Sequence, residues 1–269
     1  MRLGINTYTF MWAIGFEGAR PAQPLTALGL LEKARALGVY VVQVGPNLPL
    51  DRLPPDELQA FVSRAYALGI GLELGTRGLE PEHIARQAAL SRRIGSTLLR
   101  TVPELGGQTP AIEDLIQAVR TSLPVLEREG VRLGLENGKI PAEELRAALD
   151  ALDNSRVGVV LDTVNSLAVA EGYKQVAQVL APYTICLHYK DFAIRRVWHM
   201  MGFICEGRPA GQGQVDAAWL FRTLRAARRD FNVILELWPP EQASLEETIA
   251  LEARWAEESI PFLRRFVAE

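Results

Sequence analysis

Four residues in the second half of the chain put a polar side chain at the end of a short apolar run. Glu136 ends the run in GLENG, Asp162 follows the run in VVLDTVNS, His188 ends that in ICLHYKD and Glu236 that in VILELW. Separations of 26, 26 and 48 residues place them on different segments of one repeating pattern. Brought to one rim, three carboxylates and an imidazole conflict, because like charges this close repel. Protonation or a cation must resolve that. An O₃N donor set suits a moderately hard divalent ion, Mn²⁺ first, with Mg²⁺ and Co²⁺ as alternatives. Zn²⁺ is a further alternative, though it more often takes sulfur or several imidazoles. Taken singly, each residue has an ordinary explanation. A glutamate at a strand end forms a salt bridge, Asp162 caps the helix near Asn165, and a histidine after an apolar strand is a satisfied core residue. Taken together they do not, since burying three carboxylates without a partner is costly.

The elements that must position them alternate strand and helix to the end. Short apolar strands are predicted at Leu3–Asn6, Tyr40–Val44, Gly71–Leu74, Thr97–Arg100, Arg132–Glu136, Val157–Leu161, Thr184–His188 and Asn232–Glu236. They are too short for helices and lack a 3.6 period, so they read as buried parallel strands. Amphipathic helices are predicted between and after them, at Leu25–Leu37, Pro55–Leu68, Pro81–Ile94, Ile112–Glu129, Pro141–Leu149, Asn165–Leu180, Asp216–Arg229 and Leu245–Phe266. The first four stop at Gly38, Gly69, Gly95 and Gly130, as left-handed C-terminal caps require. Eight such units make either a closed barrel or an open doubly wound sheet. The turn after the first strand reads NTYTFMW and carries no GxGxxG, which disfavours the open sheet. The expected fold is therefore an α/β (β/α)₈ TIM barrel, one domain over residues 1–269, with functional groups at the C-terminal ends of its strands. The longest stretch without helix, Asp191–Val215, follows the seventh strand and is expected to form a lid or pocket wall.

Weaker signals surround these elements. Phe10, Trp12, Trp198 and Trp238 follow strands one, seven and eight, where aromatic rings either stack on sugars or pack loops. Lys190 reads as a contact to a substrate oxygen or as a plain salt bridge. Cys186 shares a strand face with His188 and reads as barrel core. His83 reads as a solvated helix residue, and His199 as a candidate for the pocket wall. Gly211–Gln214 (GQGQ) reads as a turn, or as backbone N–H groups facing a phosphate.

Bulk properties exclude other classes. A net charge of −3 lacks the basic field of a nucleic-acid binder. No apolar run reaches the ~18 residues of a membrane span. Two cysteines and an N-terminus that reads as a strand, not a signal peptide, make a reducing, cytoplasmic setting the expectation.

The four motifs in order, LEN, LDTxNS, LHxKD and the final LE, resemble the xylose-isomerase-like sugar isomerase/epimerase superfamily, nearest to its ketose 3-epimerases. The detailed match runs from Arg132 to Trp238. The resemblance implies that Glu136, Asp162, His188 and Glu236 bind the metal and that Glu136 and Glu236 serve as acid and base. It implies substrate contacts at Asn165, where the family has a histidine, and near Ile194, where the neighbouring Arg195 is the candidate arginine. Trp12, Trp238 and Lys190 complete the candidate substrate set. Dimers or tetramers are likewise implied. The expected substrate is a keto-sugar that passes through an enediolate. Proton return to the same carbon gives epimerisation, and return to the neighbouring carbon gives isomerisation. Loss of a β-hydroxyl gives dehydration, which makes a keto-inositol dehydratase the first rival. An apurinic-site endonuclease would need many histidine ligands, and the chain has three histidines. A non-catalytic sugar-binding barrel would need no four-ligand set.

Overall fold

A computed structural model describes residues 1–267; the last two residues of the expected domain lie outside the described residues. The strands are β1 (Leu3–Asn6), β2 (Val41–Val44), β3 (Gly71–Arg77), β4 (Leu98–Val102), β5 (Arg132–Glu136), β6 (Val157–Asp162), β7 (Thr184–Tyr189), β8 (Asp191–Arg196), β9 (Phe203–Arg208) and β10 (Asn232–Leu235). The helices are α1 (Met11–Ile14), α2 (Ala27–Leu37), α3 (Pro55–Ala67), α4 (Pro81–Arg93), α5 (Ile112–Glu129), α6 (Ala142–Leu152), α7 (Tyr173–Leu180), α8 (Ala217–Ala226) and α9 (Leu245–Arg264). Eight strands close into a parallel barrel in the order β1-β10-β7-β6-β5-β4-β3-β2, and β8 and β9 form a separate antiparallel hairpin. The (β/α)₈ expectation is met.

The expected caps form where the sequence put them. Gly38, Gly69, Gly95 and Gly130 all take positive φ, between 67° and 75°, a conformation that costs glycine little. Thr26, Asp216 and Ser244 accept backbone N–H groups at the starts of α2, α8 and α9.

One expectation needs correction. The predicted helix Asn165–Leu180 is split: a 3₁₀ turn spans Asn165–Val169, Ala170 turns left-handed, and α7 starts only at Tyr173. The Glu171 carboxylate in the break accepts the backbone N–H of Ala142 at 3.0 Å, tying it to α6. The stretch Asp191–Val215 has no helix, as expected, and begins with the β8–β9 hairpin.

Alternation within the strands explains how the site is built. Leu133, Leu135, Val159, Leu161, Leu187, Val233 and Leu235 join the main core, which helix residues such as Leu145, Val176 and Leu220 share. The residues between them point inward. A second, smaller cluster of Val41, Leu98, Val160, Ile185, Cys186 and Ile234 fills the barrel interior. Gly134 leaves room for it, since a Cβ there would meet Val160 Cγ2 at 2.5 Å. With a period of two, the next inward layer falls on Gln43, Arg100, Glu136, Asp162, His188 and Glu236. All six are buried. A polar layer thus sits directly on an apolar plug at the C-terminal end of the barrel, the end that carries function in this fold.

Candidate metal centre

Glu136, Asp162, His188 and Glu236 each offer one ligand atom, and these atoms lie within 4.8 Å of one another. His188 Nδ1 is 3.1 Å from Glu136 Oε1 and 3.0 Å from Glu236 Oε1. The other ring nitrogen faces Gln43 Oε1 at 2.8 Å. Gln43 donates its own amide N–H to Glu73, at 3.0 Å, so its oxygen is the atom left for His188. Asn232 donates to the other Glu73 oxygen at 2.7 Å. The relay Glu73–Gln43–His188 therefore fixes the proton on Nε2 and turns Nδ1 toward the carboxylates, the arrangement a metal-binding histidine needs.

Asp162 meets its capping reading with one oxygen and keeps the other for the cluster. Its Oδ1 caps the following turn, accepting N–H groups of Val164 and Asn165 at 2.8 Å each. Its Oδ2 is buried, lies 2.9 Å from Lys190 Nζ and makes no well-aligned hydrogen bond. Asn137, the third letter of LEN, grips the Asp162 backbone at both ends: it accepts from the N–H at 2.6 Å and donates to the C=O at 2.9 Å.

Cations answer the three carboxylates. Lys190 Nζ also lies 2.7 Å from Glu236 Oε2 and 3.1 Å from Asn165 Oδ1. Arg100 pairs with Glu136 Oε2. Asn165 donates to Glu136 Oε1 at 3.1 Å, and Asn6 donates to Glu236. Burial alone would push His188 toward neutrality, yet Glu236 and Glu136 outweigh it and hold its pKa well above the ordinary value. Burial likewise opposes ionisation of Glu236, but Lys190 and His188 hold it well below the usual carboxylate range. For Asp162 burial wins over Lys190 and the carboxyl is raised. The donor set and the poorly satisfied Asp162 Oδ2 fit a divalent ion; the ion would take the place of the proton on Nδ1 and displace Lys190 from Asp162.

A cavity of 340 Å³ opens at the cluster, lined by Arg77, Arg100 and Lys139 together with Asn165, Lys190 and Glu236. A neighbouring 470 Å³ cavity shares Tyr8, Asn165, Lys190 and Glu236 and is walled by Met11, Val164, Leu167, Leu237 and Trp238. Asn165, Lys190 and Trp238 thus lie at the site. Trp12 does not line either cavity; its ring packs on Phe16 and its backbone N–H donates to Glu252. Arg195 is on the exposed hairpin, paired with Glu206 at 3.1 Å. Trp198 and His199 meet edge to face at the hairpin tip, where Trp198 is 92% exposed. His83 is half-buried, not solvated, and bonds Thr76 Oγ1 at 2.7 Å. The GQGQ turn holds an internal anion. Gly211, Gly213 and Val215 donate to the buried Asp191 carboxylate at 2.8–3.1 Å.

Sequence reasoning missed Asn6 and Arg77, which end β1 and β3, Gln43 and Arg100 within β2 and β4, and Lys139 after β5. The signal was the same period-two rule applied to β1–β4.

The chain matches the family described as xylose isomerase-like TIM barrel over residues 14–266. It belongs to that family. Among curated relatives, 3-oxo-isoapionate decarboxylase of Pectobacterium atrosepticum is 34% identical over 264 residues, covering 98% of this chain and 95% of the relative. Structural neighbours include ketose 3-epimerases. D-psicose 3-epimerase from Clostridium cellulolyticum H10, solved with D-tagatose, superposes with a TM-score of 0.74 at 16% identity, over 99% of both chains. A xylose isomerase-like protein from Mycobacterium smegmatis, solved in complex with magnesium, gives 0.68 at 15% identity, over 96% of this chain and 97% of the other. At these identities the neighbours establish the fold. Among the described residues no helix is long and apolar enough to cross a membrane.

Proposed function

We propose that the chain is a divalent-metal-dependent sugar isomerase or epimerase that turns a keto-sugar, or its acid, over through an enediolate. The observation that carries this reading is the buried cluster of Glu136, Asp162, His188 and Glu236 at the C-terminal mouth of the barrel. An ion bound there, Mn²⁺ by donor chemistry, supplies Lewis-acid stabilisation of the developing oxyanion. The protein's own groups do the rest. Glu136 on β5 and Glu236 after β10 are separated in the barrel by β6 and β7, so they approach a substrate from two sides. One removes the proton next to the carbonyl and the other returns a proton. Lys190 and Asn165, which line the cavity, hold substrate oxygens in place. The apolar wall at Leu237 and Trp238 keeps water from the reacting carbon. Neither of the two cysteines is paired, which supports a cytoplasmic setting.

The curated relative favours a second outcome from the same site, decarboxylation of a 3-oxo acid. Here the C–C bond to the carboxylate breaks, its electron pair passes to the enediolate, CO₂ leaves, and one glutamate supplies the proton that forms the new C–H bond. No base is needed. One experiment separates the outcomes. The Mn²⁺-loaded protein is incubated in D₂O with ketoses, inososes, hydroxypyruvate and 3-oxo sugar acids, and the products are read by NMR. Proton transfer between glutamates puts deuterium next to the carbonyl with carbon count unchanged. Decarboxylation puts it on the carbon that lost CO₂. Failure of every substrate to exchange or react would remove the enediolate reading.

A further inference from the structure

Four cations, Arg77, Arg100, Lys139 and Lys190, stand in the cavity wall. Arg100 and Lys190 are engaged by the carboxylates of the buried cluster, Glu136, Asp162 and Glu236. The ion pairs of Arg77 and Lys139 lie outside that cluster. A neutral sugar offers these cations no counter-charge.

The cations are also concentrated at one place. Arg77 and Lys139 share a single acceptor, Glu104, each at 2.9 Å. Their side chains remain 56% and 42% exposed, whereas Glu104 is 5% exposed beneath them. Arg100 is only 6% exposed, and its Nε has no hydrogen-bond partner. The three cations come from β3, β4 and the loop after β5 and line one cavity; the neighbouring cavity, which shares Tyr8, Asn165, Lys190 and Glu236 with it, is walled by Val164, Leu237 and Trp238. A ligand seated across this space has one end in an apolar slot and the other against guanidinium groups, whose planar donor pairs match an oxyanion.

We infer that the substrate is anionic and that its oxyanion terminus, a carboxylate or phosphoryl group, sits against Arg77, Arg100 and Lys139. The inference rests on the proposed keto-sugar site and adds the substrate class to it: a sugar acid or sugar phosphate, not a free ketose. In this role Arg77 and Lys139 select the substrate and take no part in the proton transfers.

The test compares three unreactive probes of one size: erythronate, erythritol and erythritol 4-phosphate. Dissociation constants are read by NMR titration of the full chain, with Mn²⁺ and again in EDTA. Charge-assisted hydrogen bonds to a fixed cationic wall are expected to favour an anionic probe over erythritol by about tenfold or more. A tighter phosphate ester assigns the terminus as phosphoryl, and a tighter erythronate assigns it as carboxylate. R77Q/K139Q is expected to remove most of the preference while leaving erythritol binding unchanged. Equal affinity for charged and neutral probes overturns the inference, as does a preference that survives intact in R77Q/K139Q. Failure of the metal reading looks different: Mn²⁺ and EDTA titrations coincide for every probe, yet the preference still depends on Arg77 and Lys139.

Discussion

Loading the site with Mn²⁺ should stabilise the chain strongly and expel one proton per ion. Without the ion, Glu236 and Glu136 hold His188 protonated at neutral pH, with Nδ1 about equally far from both carboxylates at 3.0 and 3.1 Å. The ion needs that same nitrogen, because Nε2 is committed to Gln43 at 2.8 Å. Binding therefore replaces a proton, and apparent affinity should rise about tenfold per pH unit below the folded pKa of His188. At a free ion concentration 1,000 times the dissociation constant, linkage contributes about 4 kcal/mol. For a chain of this size each kcal/mol moves Tm by about 2 °C, so the expected shift is about 8 °C. Thermal unfolding of EDTA-stripped protein titrated with MnCl₂ at pH 6, 7 and 8 measures the shift. Calorimetry in two buffers of different ionisation enthalpy counts the proton. Asp162→Asn and Glu236→Gln should each lose most of the shift. The reasoning is refuted if Mn²⁺, Mg²⁺, Co²⁺ and Zn²⁺ all leave Tm unchanged, or if binding occurs with no proton released.

Three further outcomes follow from the same geometry. Glu136→Gln should lower kcat on any identified substrate by at least about 10²-fold while circular dichroism stays native, since one proton carrier is lost and the barrel is kept; near-normal turnover would end the acid–base role. Gln43→Leu removes the acceptor at His188 Nε2 and should weaken metal affinity about 10–100-fold, measured by competition with a chelating dye, with all four ligands still present. Glu252 on α9 accepts N–H groups of Trp12 and Ala13 at 3.0 and 3.1 Å, and burial, the largest influence, pushes its pKa to about 8. The folded carboxyl then keeps its proton where the unfolded chain has lost it, so stability should fall as pH rises from about 4.5 to 8, by an amount on the order of a few kcal/mol. Denaturant titrations across that range should show the decline in the wild type and a flatter profile in Glu252→Gln.

The barrel and the four inward polar residues at its mouth were legible because two strong periodicities agree. Apolar runs of strand length separated by capped amphipathic helices specify the architecture, and a charged residue ending such a run has few ordinary reasons to be there. Arg100 and Gln43 obey the same rule, two residues beyond the inward Leu98 and Val41. They were passed over because arginine and glutamine are not ligand types and because nothing local says which strand ends converge. Closure of β1 onto β10 and β2 brings Asn6 and Gln43 to the cluster, and that is a tertiary fact. The break in the predicted Asn165–Leu180 helix has no proline to announce it. It depends on Glu171 finding an N–H on α6, and Ala170 is an unusual residue for a left-handed turn. The GQGQ turn was ambiguous for a related reason: its N–H groups bind an anion, but that anion is the chain's own Asp191. Trp12 follows from its position after a strand and Arg195 from the family resemblance, yet packing on Phe16 and pairing with Glu206 hold them away from the cavity.

The most direct measurement is anomalous scattering from a crystal of the Mn²⁺-loaded protein, recorded at the manganese edge. A single strong peak should lie about 2.0–2.3 Å from His188 Nδ1 and from one oxygen each of Glu136, Asp162 and Glu236, with Lys190 moved off Asp162. No peak inside the barrel mouth, or one held by other residues while these four keep their present ion pairs, would contradict the account.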